Sequence, residues 1–233
     1  MSYFKLRRSR VILGSFLLFS AIMVAFPSID LSISGFFFDG RSFPRGRWWQ
    51  DLQQTGLTLF LCLSVSAVLA LYVWNRARAQ KLGGIDGRRV LYLLLVLGIG
   101  PGLIVNTTLK DNFGRARPRN VTEFGGTKEF TAPFVVSREC NTNCSFSSGD
   151  AAGGFFALAL ALALSRRRSV FVAGLAFGTL ISLSRIASGA HFFSDTVVSF
   201  FVMLSLADVL YHYVVLSQVE RTEQPVVAVR AQT

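Results

Sequence analysis

The chain has 233 residues, 52% of them hydrophobic, and carries 24 Lys and Arg against 13 Asp and Glu, a formal net charge of +11. That charge alone would admit a nucleic-acid partner, but the cations fall in short clusters between apolar runs and line no single surface, which excludes that class. An open sheet or loop of this composition would strand unpaired backbone groups in lipid, so the apolar runs must be helices.

In chain order, residues 11–29, 52–75, 90–109, 151–165, 169–184 and 196–207 contain no Asp, Glu, Lys or Arg. Most approach the roughly 20 residues a helix needs to cross about 30 Å of hydrocarbon. The pattern predicts an all-α integral membrane protein of six transmembrane helices, one domain over 1–218, and a short polar tail over 219–233. The two shorter runs must borrow flanking polar residues. The first run resembles a signal peptide but lacks a small-x-small cleavage site before Pro27, so it is expected to stay as an anchor.

Between spans one and two, "SGFFFDGRSFPRGRWWQD" mixes Phe36, Phe37, Phe38, Trp48 and Trp49 with Arg41, Arg45 and Arg47. Rings and arginines together suit the headgroup level, and an interfacial helix is expected here. Fourteen of the 24 cations, among them Lys5, Arg76, Arg89, Arg166 and Arg221, fall on one side of a six-span topology. The other ten share the opposite side with nine of the 13 acids. The positive-inside rule then puts both termini in the cytoplasm.

Cys62 falls in the second span and is expected to pack. Cys140 and Cys144, in "CNTNC", lie on the outer, oxidising side, where a disulfide bracing "SFSSGD" is plausible. A metal is the weaker reading, since no histidine lies nearby. These cysteines belong to the connection 110–149, far longer than a passive turn requires.

Three segments are predicted to converge at the outer ends of spans: "KDNFGRARP", "SFSSGD" and "SRIASGAHFFSD". They offer Lys110, Arg115, Arg117, Ser148, Gly149, Asp150, Arg185, His191 and Asp195. Cations, a helix N-terminus and one histidine backed by a carboxylate describe a phosphate site. Arg117 and Arg185 would present planar forks and Lys110 a point charge. Ser148 and Gly149 would offer a hydroxyl and backbone N–H groups. Asp195, four residues after His191, would hold Nδ1–H and leave Nε2 free to attack phosphorus. Nothing in this set suggests a metal cage or a cofactor, and Arg115 is an accessory cation.

These motifs resemble the type 2 phosphatidic acid phosphatase superfamily: Lys110, six residues, Arg117-Pro118; then "SSGD"; then Ser184-Arg185, five residues, His191, three residues, Asp195. The resemblance implies a six-helix membrane lipid phosphatase with His191 as nucleophile, Asp195 as its partner, and Lys110, Arg117, Ser148, Gly149 and Arg185 on the phosphate. The wording "EFGG", "NCSFSSGD" and "GAHFFSD" is most similar to the bacterial lipid A phosphatase branch, above all the 4′-phosphatases. It implies a phosphorylated envelope lipid as partner, an inner-membrane location and a site at the periplasmic boundary, with no obligate protein partner evident.

One departure stands out. The family's second-motif histidine is Asp150 here, and Ser147 replaces its proline. Asp150 is either a general acid kept protonated by the substrate's charge and by burial, or a helix cap. Undecaprenyl pyrophosphate or phosphatidylglycerol phosphate as substrate, and phosphoryl transfer to another lipid, fit the same motifs. A small transporter is the non-enzyme alternative, but it would need polar residues through the spans. Gly100-Pro101 and Asp208 with His212 are the few signs of that kind.

Overall fold

The computed structural model of the chain describes residues 2–44, 47–165 and 167–217. Arg45, Arg166, Arg221 and the tail 219–233 lie outside those residues, as do the side chains of Lys5, Arg47, Trp48 and Trp49.

Pro27 has no N–H to donate to a helix, and the first apolar helix breaks there. Helix α1 covers Ser2–Ala25 and α2 covers Ser28–Gly35, the two apolar stretches meeting at 85°. Helix α3 runs over Arg47–Arg78. Asp86 opens α4, Gly87–Leu97, its side chain accepting from Arg89 N at 3.0 Å. With Pro101 inside, the next stretch, Gly98–Leu109, widens into a π-helix. The hydroxyls of Thr107 and Thr108 there donate to carbonyls five residues back, on Gly102 and Leu103. Helix α5, Lys110–Phe113, ends this long segment, and α6, Gly149–Leu164, follows the long connection. Helix α7 is Arg168–Ala187, and α8, Phe193–Leu210, extends as a second π-helical stretch over Tyr211–Leu216.

The described residues form helices and loops with no strand, only an isolated bridge between Val121 and Lys128. Helix α6 is the hub, packed on α7 and α8, and 11 of its 16 residues are buried. Small residues let it close on α7. A side chain on Gly178 would strike the Phe155 ring at 2.2 Å, and one on Gly154 would sit 3.1 Å from Ile181. Tyr92, Val96, Phe156, Met203 and Ala207 complete this core.

Four segments are long and apolar enough to cross a membrane: Gln53–Arg78, Gly87–Asn120, Arg168–Ala187 and Phe193–Leu216; counting the bent α1–α2 pair makes five. The remaining expected span, fourth in chain order, is α6, with 16 residues. At 1.5 Å per residue that is about 24 Å, so crossing about 30 Å of hydrocarbon would need flanking residues at its ends. Among the described residues the aromatic stretch forms no separate helix. Helix α2 lies ahead of it and buries Asp30 and Ser34, and the end of the stretch, residues 47–51, opens α3. Residues 36–44 are turn and loop, with Phe38 and Phe43 packed on Phe124 of the long connection. Cys62, expected to pack, is exposed on α3.

Candidate active site

Helix α5 stops at Gly114, whose φ of +59° is left-handed and whose missing side chain would lie 2.1 Å from Ser137 O, so only glycine fits. The chain leaves the helix there and runs through Arg115 to Arg117, held at φ −83° and ψ 153° ahead of Pro118. Ser145 N donates to Arg115 O at 2.9 Å, and Arg119 N donates to Gly189 O at 3.1 Å. These backbone bonds tie the first motif to the second and third.

The turn from α7 to α8 is folded around one carbonyl. Ala190 N and His191 N donate to Arg185 O at 3.0 and 3.3 Å. Gly189, at φ +62°, leaves room for the Phe43 ring, which a side chain there would meet at 2.5 Å. His191 is thereby sunk to 1% exposure. Its Nδ1 lies 2.7 Å from Ser145 O. A carbonyl only accepts, so Nδ1 carries the proton and Nε2 keeps its lone pair. The expected Asp195 contact is longer, 3.8 Å from Nδ1 to Oδ2, beyond hydrogen-bond range. Asp195 instead accepts from Arg115 Nη1 at 2.6 Å, Ser145 Oγ at 2.5 Å and Phe192 N at 2.9 Å. Asp195 therefore connects to the imidazole through Ser145, whose hydroxyl bonds the carboxylate and whose carbonyl takes Nδ1–H.

Burial pushes the His191 pKa below its ordinary value; Asp195 opposes this, and the positive charges of Arg117 and Arg185 add to it. A neutral ring is the form that can act as a nucleophile.

The cationic residues gather beside it. Arg117 places Nε and Nη2 on Asn143 O, at 3.1 and 2.7 Å, and Nη2 also on Asn143 Oδ1 at 2.7 Å. Asn143 sits inside the ring closed by the Cys140–Cys144 disulfide. Lys110 Nζ is 3.4 Å from Asn106 Oδ1, and Gly149 admits that same amide, since a side chain would meet it at 2.5 Å. Arg185 Nε lies 2.9 Å from Asp150 Oδ2 in an ion pair, although its N–H is not aimed for a hydrogen bond. The charges of Lys110, Arg117, Arg185 and Asp150 act on one another across this cluster.

Other expected residues have different surroundings. Ser148 is buried, and its Oγ accepts from Ala151 N at 3.3 Å, capping α6. Arg115 does not join the cationic cluster; it is 1% exposed and is bound to Asp195 and Asp30. Sequence reasoning passed over Asp30, Ser145, Ser194 and Asn143. For Asp30 a signal existed: an acid in the apolar stretch "FPSIDLSI" is costly unless paired.

A histidine with a bare nitrogen beside two guanidinium groups suits attack on phosphorus, because the cations can take up charge on the phosphoryl oxygens. Comparison with known proteins points the same way. The model of the PAP2 superfamily matches residues 89–218. A lipid A 4′-phosphatase of Francisella tularensis subsp. novicida (strain U112) is 32% identical over 205 residues, covering 82% of this chain and 89% of that protein. A lipid A 4′-phosphatase of Rhizobium leguminosarum is 32% identical over 194 residues, covering 76% and 83%. Among solved structures, the transmembrane PAP2-type phosphatidylglycerolphosphate phosphatase of Bacillus subtilis superposes with a TM-score of 0.57 at 22% identity, over 87% of this chain and 94% of that one. At that identity the likeness concerns the fold alone.

Proposed function

Since the chain belongs to the PAP2 superfamily and is a multi-pass membrane lipid phosphatase, we propose that it removes the 4′-phosphate of lipid A through a phosphohistidine on His191. The observation that carries this reading is the His191 geometry: Nδ1 fixed on Ser145 O at 2.7 Å, with Arg117 and Arg185 close enough to act on the ring.

In this mechanism the Nε2 lone pair forms a bond to phosphorus while the bond from phosphorus to the sugar oxygen breaks. The departing oxygen takes a proton from solvent water, and the water that attacks in the second step returns one to solvent. Arg117, Arg185 and Lys110 take up charge on the three remaining oxygens, with the N-terminus of α6 beside them. Water then attacks phosphorus, the P–N bond breaks, phosphate leaves and His191 is neutral again. No step is routed through a metal ion. Asp150 is assigned to Arg185, as the counter-ion that an incoming phosphate displaces. An ion-paired carboxylate accepts hydrogen bonds, and acid duty would require that contact to break.

The same reading gives the chain six crossings of a bacterial inner membrane as one domain, with both termini cytoplasmic and the site at the periplasmic boundary. It is supported by the charge distribution and by the gathering of the three motifs at one end of the bundle. The short α6 fits a hub surrounded by protein.

The test is phosphate release from purified protein given lipid A with both phosphates, undecaprenyl pyrophosphate and phosphatidylglycerol phosphate, each with and without chelator. Lipid A that loses only its 4′-phosphate, untouched by chelator and abolished by His191→Ala, is expected. Turnover confined to another lipid, or lost with chelator, contradicts the reading.

A further inference from the structure

Asp30 is fully buried on α2, outside the segment 89–218 that the family model covers. Its Oδ1 accepts from Ser194 N at 2.8 Å, one of the first-turn N–H groups of α8 that no intrahelical carbonyl can reach. Its Oδ2 accepts from Ser194 Oγ and, at 2.9 Å, from Arg115 Nη2. Arg115 in turn places Nη1 on Asp195 Oδ1 at 2.6 Å and on Ser194 Oγ at 2.9 Å, with Nε on Thr131 O at 2.9 Å. The guanidinium also lies 4.3 Å from the centre of the Phe192 ring, directly after His191. From Asp195 the chain of contacts reaches Ser145 and ends at His191 Nδ1.

Two carboxylates thus share one guanidinium, all three groups at most 1% exposed. A buried ion pair kept only for architecture would need one acid, and a second adds desolvation cost without a second cation. The second carboxylate lies behind Asp195, joined to it through Arg115 and Ser194. Phosphorylation of Nε2 with Nδ1 still protonated makes the ring cationic, so the contacts that hold Asp195 and Ser145 must stay in place while that charge forms. The ring also faces Arg117 and Arg185, whose positive charges oppose its own.

Resting on the proposed nucleophile, we propose that Asp30 is a positioning residue for the phosphoryl transfer. It locks Arg115 and the first turn of α8 so that Asp195 and Ser145 hold Nε2 in line with phosphorus. The segment after the Pro27 bend is then part of the reaction centre.

The test uses the full chain in detergent and whichever lipid of the panel above the wild type hydrolyses. Asp30→Asn is expected to lower kcat by about 10- to 100-fold, the range for removing an outer partner of a working ligand. KM should stay within about twofold, because substrate binding is untouched. The double variant Asp30→Asn/Asp195→Asn should lose little more than Asp195→Asn alone, since both act along one path. A folded Asp30→Asn with unchanged kcat overturns the proposal, as does a double variant that loses the full product of the single factors. Should Asp30→Asn not fold, Ser194→Ala decides. It removes the hydroxyl between Asp30 and Arg115 but keeps both charges, and it should cost kcat about threefold or more with KM held; an unchanged kcat overturns the proposal. His191→Ala is the separate control. Full turnover in that variant sinks the nucleophile and Asp30's role with it, whereas a dead His191→Ala beside a normal Asp30→Asn removes only the latter.

Discussion

Arg115 and Arg117 stand two residues apart in one motif, yet the fold gives them unlike company. Arg115 is enclosed at 1% exposure between Asp30 and Asp195, so its charge is matched within the protein. Arg117, also buried, spends its bonds on Asn143, a neutral partner. A guanidinium held by neutral acceptors keeps its charge for an incoming anion, whereas one held by carboxylates has already used it. Motif spacing singles out Arg117 for the phosphate and leaves Arg115 an accessory cation; only the structure shows that their partners differ in charge.

Removing each side chain is the strongest way to break that contrast. Arg115→Met should leave two carboxylates facing each other in the core and cost about 3–5 kcal/mol of stability. Turnover should fall with it. Thermal unfolding in detergent alongside phosphate release would check both, and wild-type stability would erase the distinction. Arg117→Met should instead lower kcat/KM by about 10- to 100-fold through a lost charge-assisted bond, with stability changed by only about 1 kcal/mol.

Much of the site was legible because its motifs are local. Lys110 and Arg117 flank one helix end, and His191 and Asp195 share one turn, so short spacings capture them. Asp30 lies 164 positions from Ser194 and 85 from Arg115, a separation no local pattern spans. Asp195 sits farther from the ring than its spacing suggests for a related reason. Four residues place it near His191, but the carbonyl that takes Nδ1–H belongs to Ser145, 46 positions away. On the fold, uncharged runs report composition and not surroundings. The run 151–165 reads like any other span, while α6, of similar length, has 11 of its 16 residues buried among its neighbours.

Smaller effects sharpen the contrast between the two faces of the histidine. Burial, Arg117 and Arg185 all lower the His191 pKa, so the neutral ring should persist below the ordinary value of 6.5. The acid limb of kcat/KM should therefore lie below that pH, and Arg117→Met should move it upward by removing a positive neighbour; a limb at or above 6.5 in the wild type would contradict this. Asp150→Asn should free Arg185 and tighten product inhibition by phosphate about two- to fivefold, the scale of a partly exposed ion pair. Its pH–rate profile from acid to neutral should keep its shape; a lost basic limb would restore Asp150 as general acid. The least effect is expected of Cys140→Ser/Cys144→Ser, which loosens the ring around Asn143. It should cost about 2 kcal/mol at most and raise KM about twofold through Arg117.

The nucleophile itself is tested most directly by the stereochemistry at phosphorus, using a phosphorothioate substrate made chiral with two oxygen isotopes and hydrolysed in water carrying the third. Two successive in-line displacements, first by His191 Nε2 and then by water, should release inorganic thiophosphate with configuration retained. Inversion would mean a single attack by water, and would contradict the phosphohistidine.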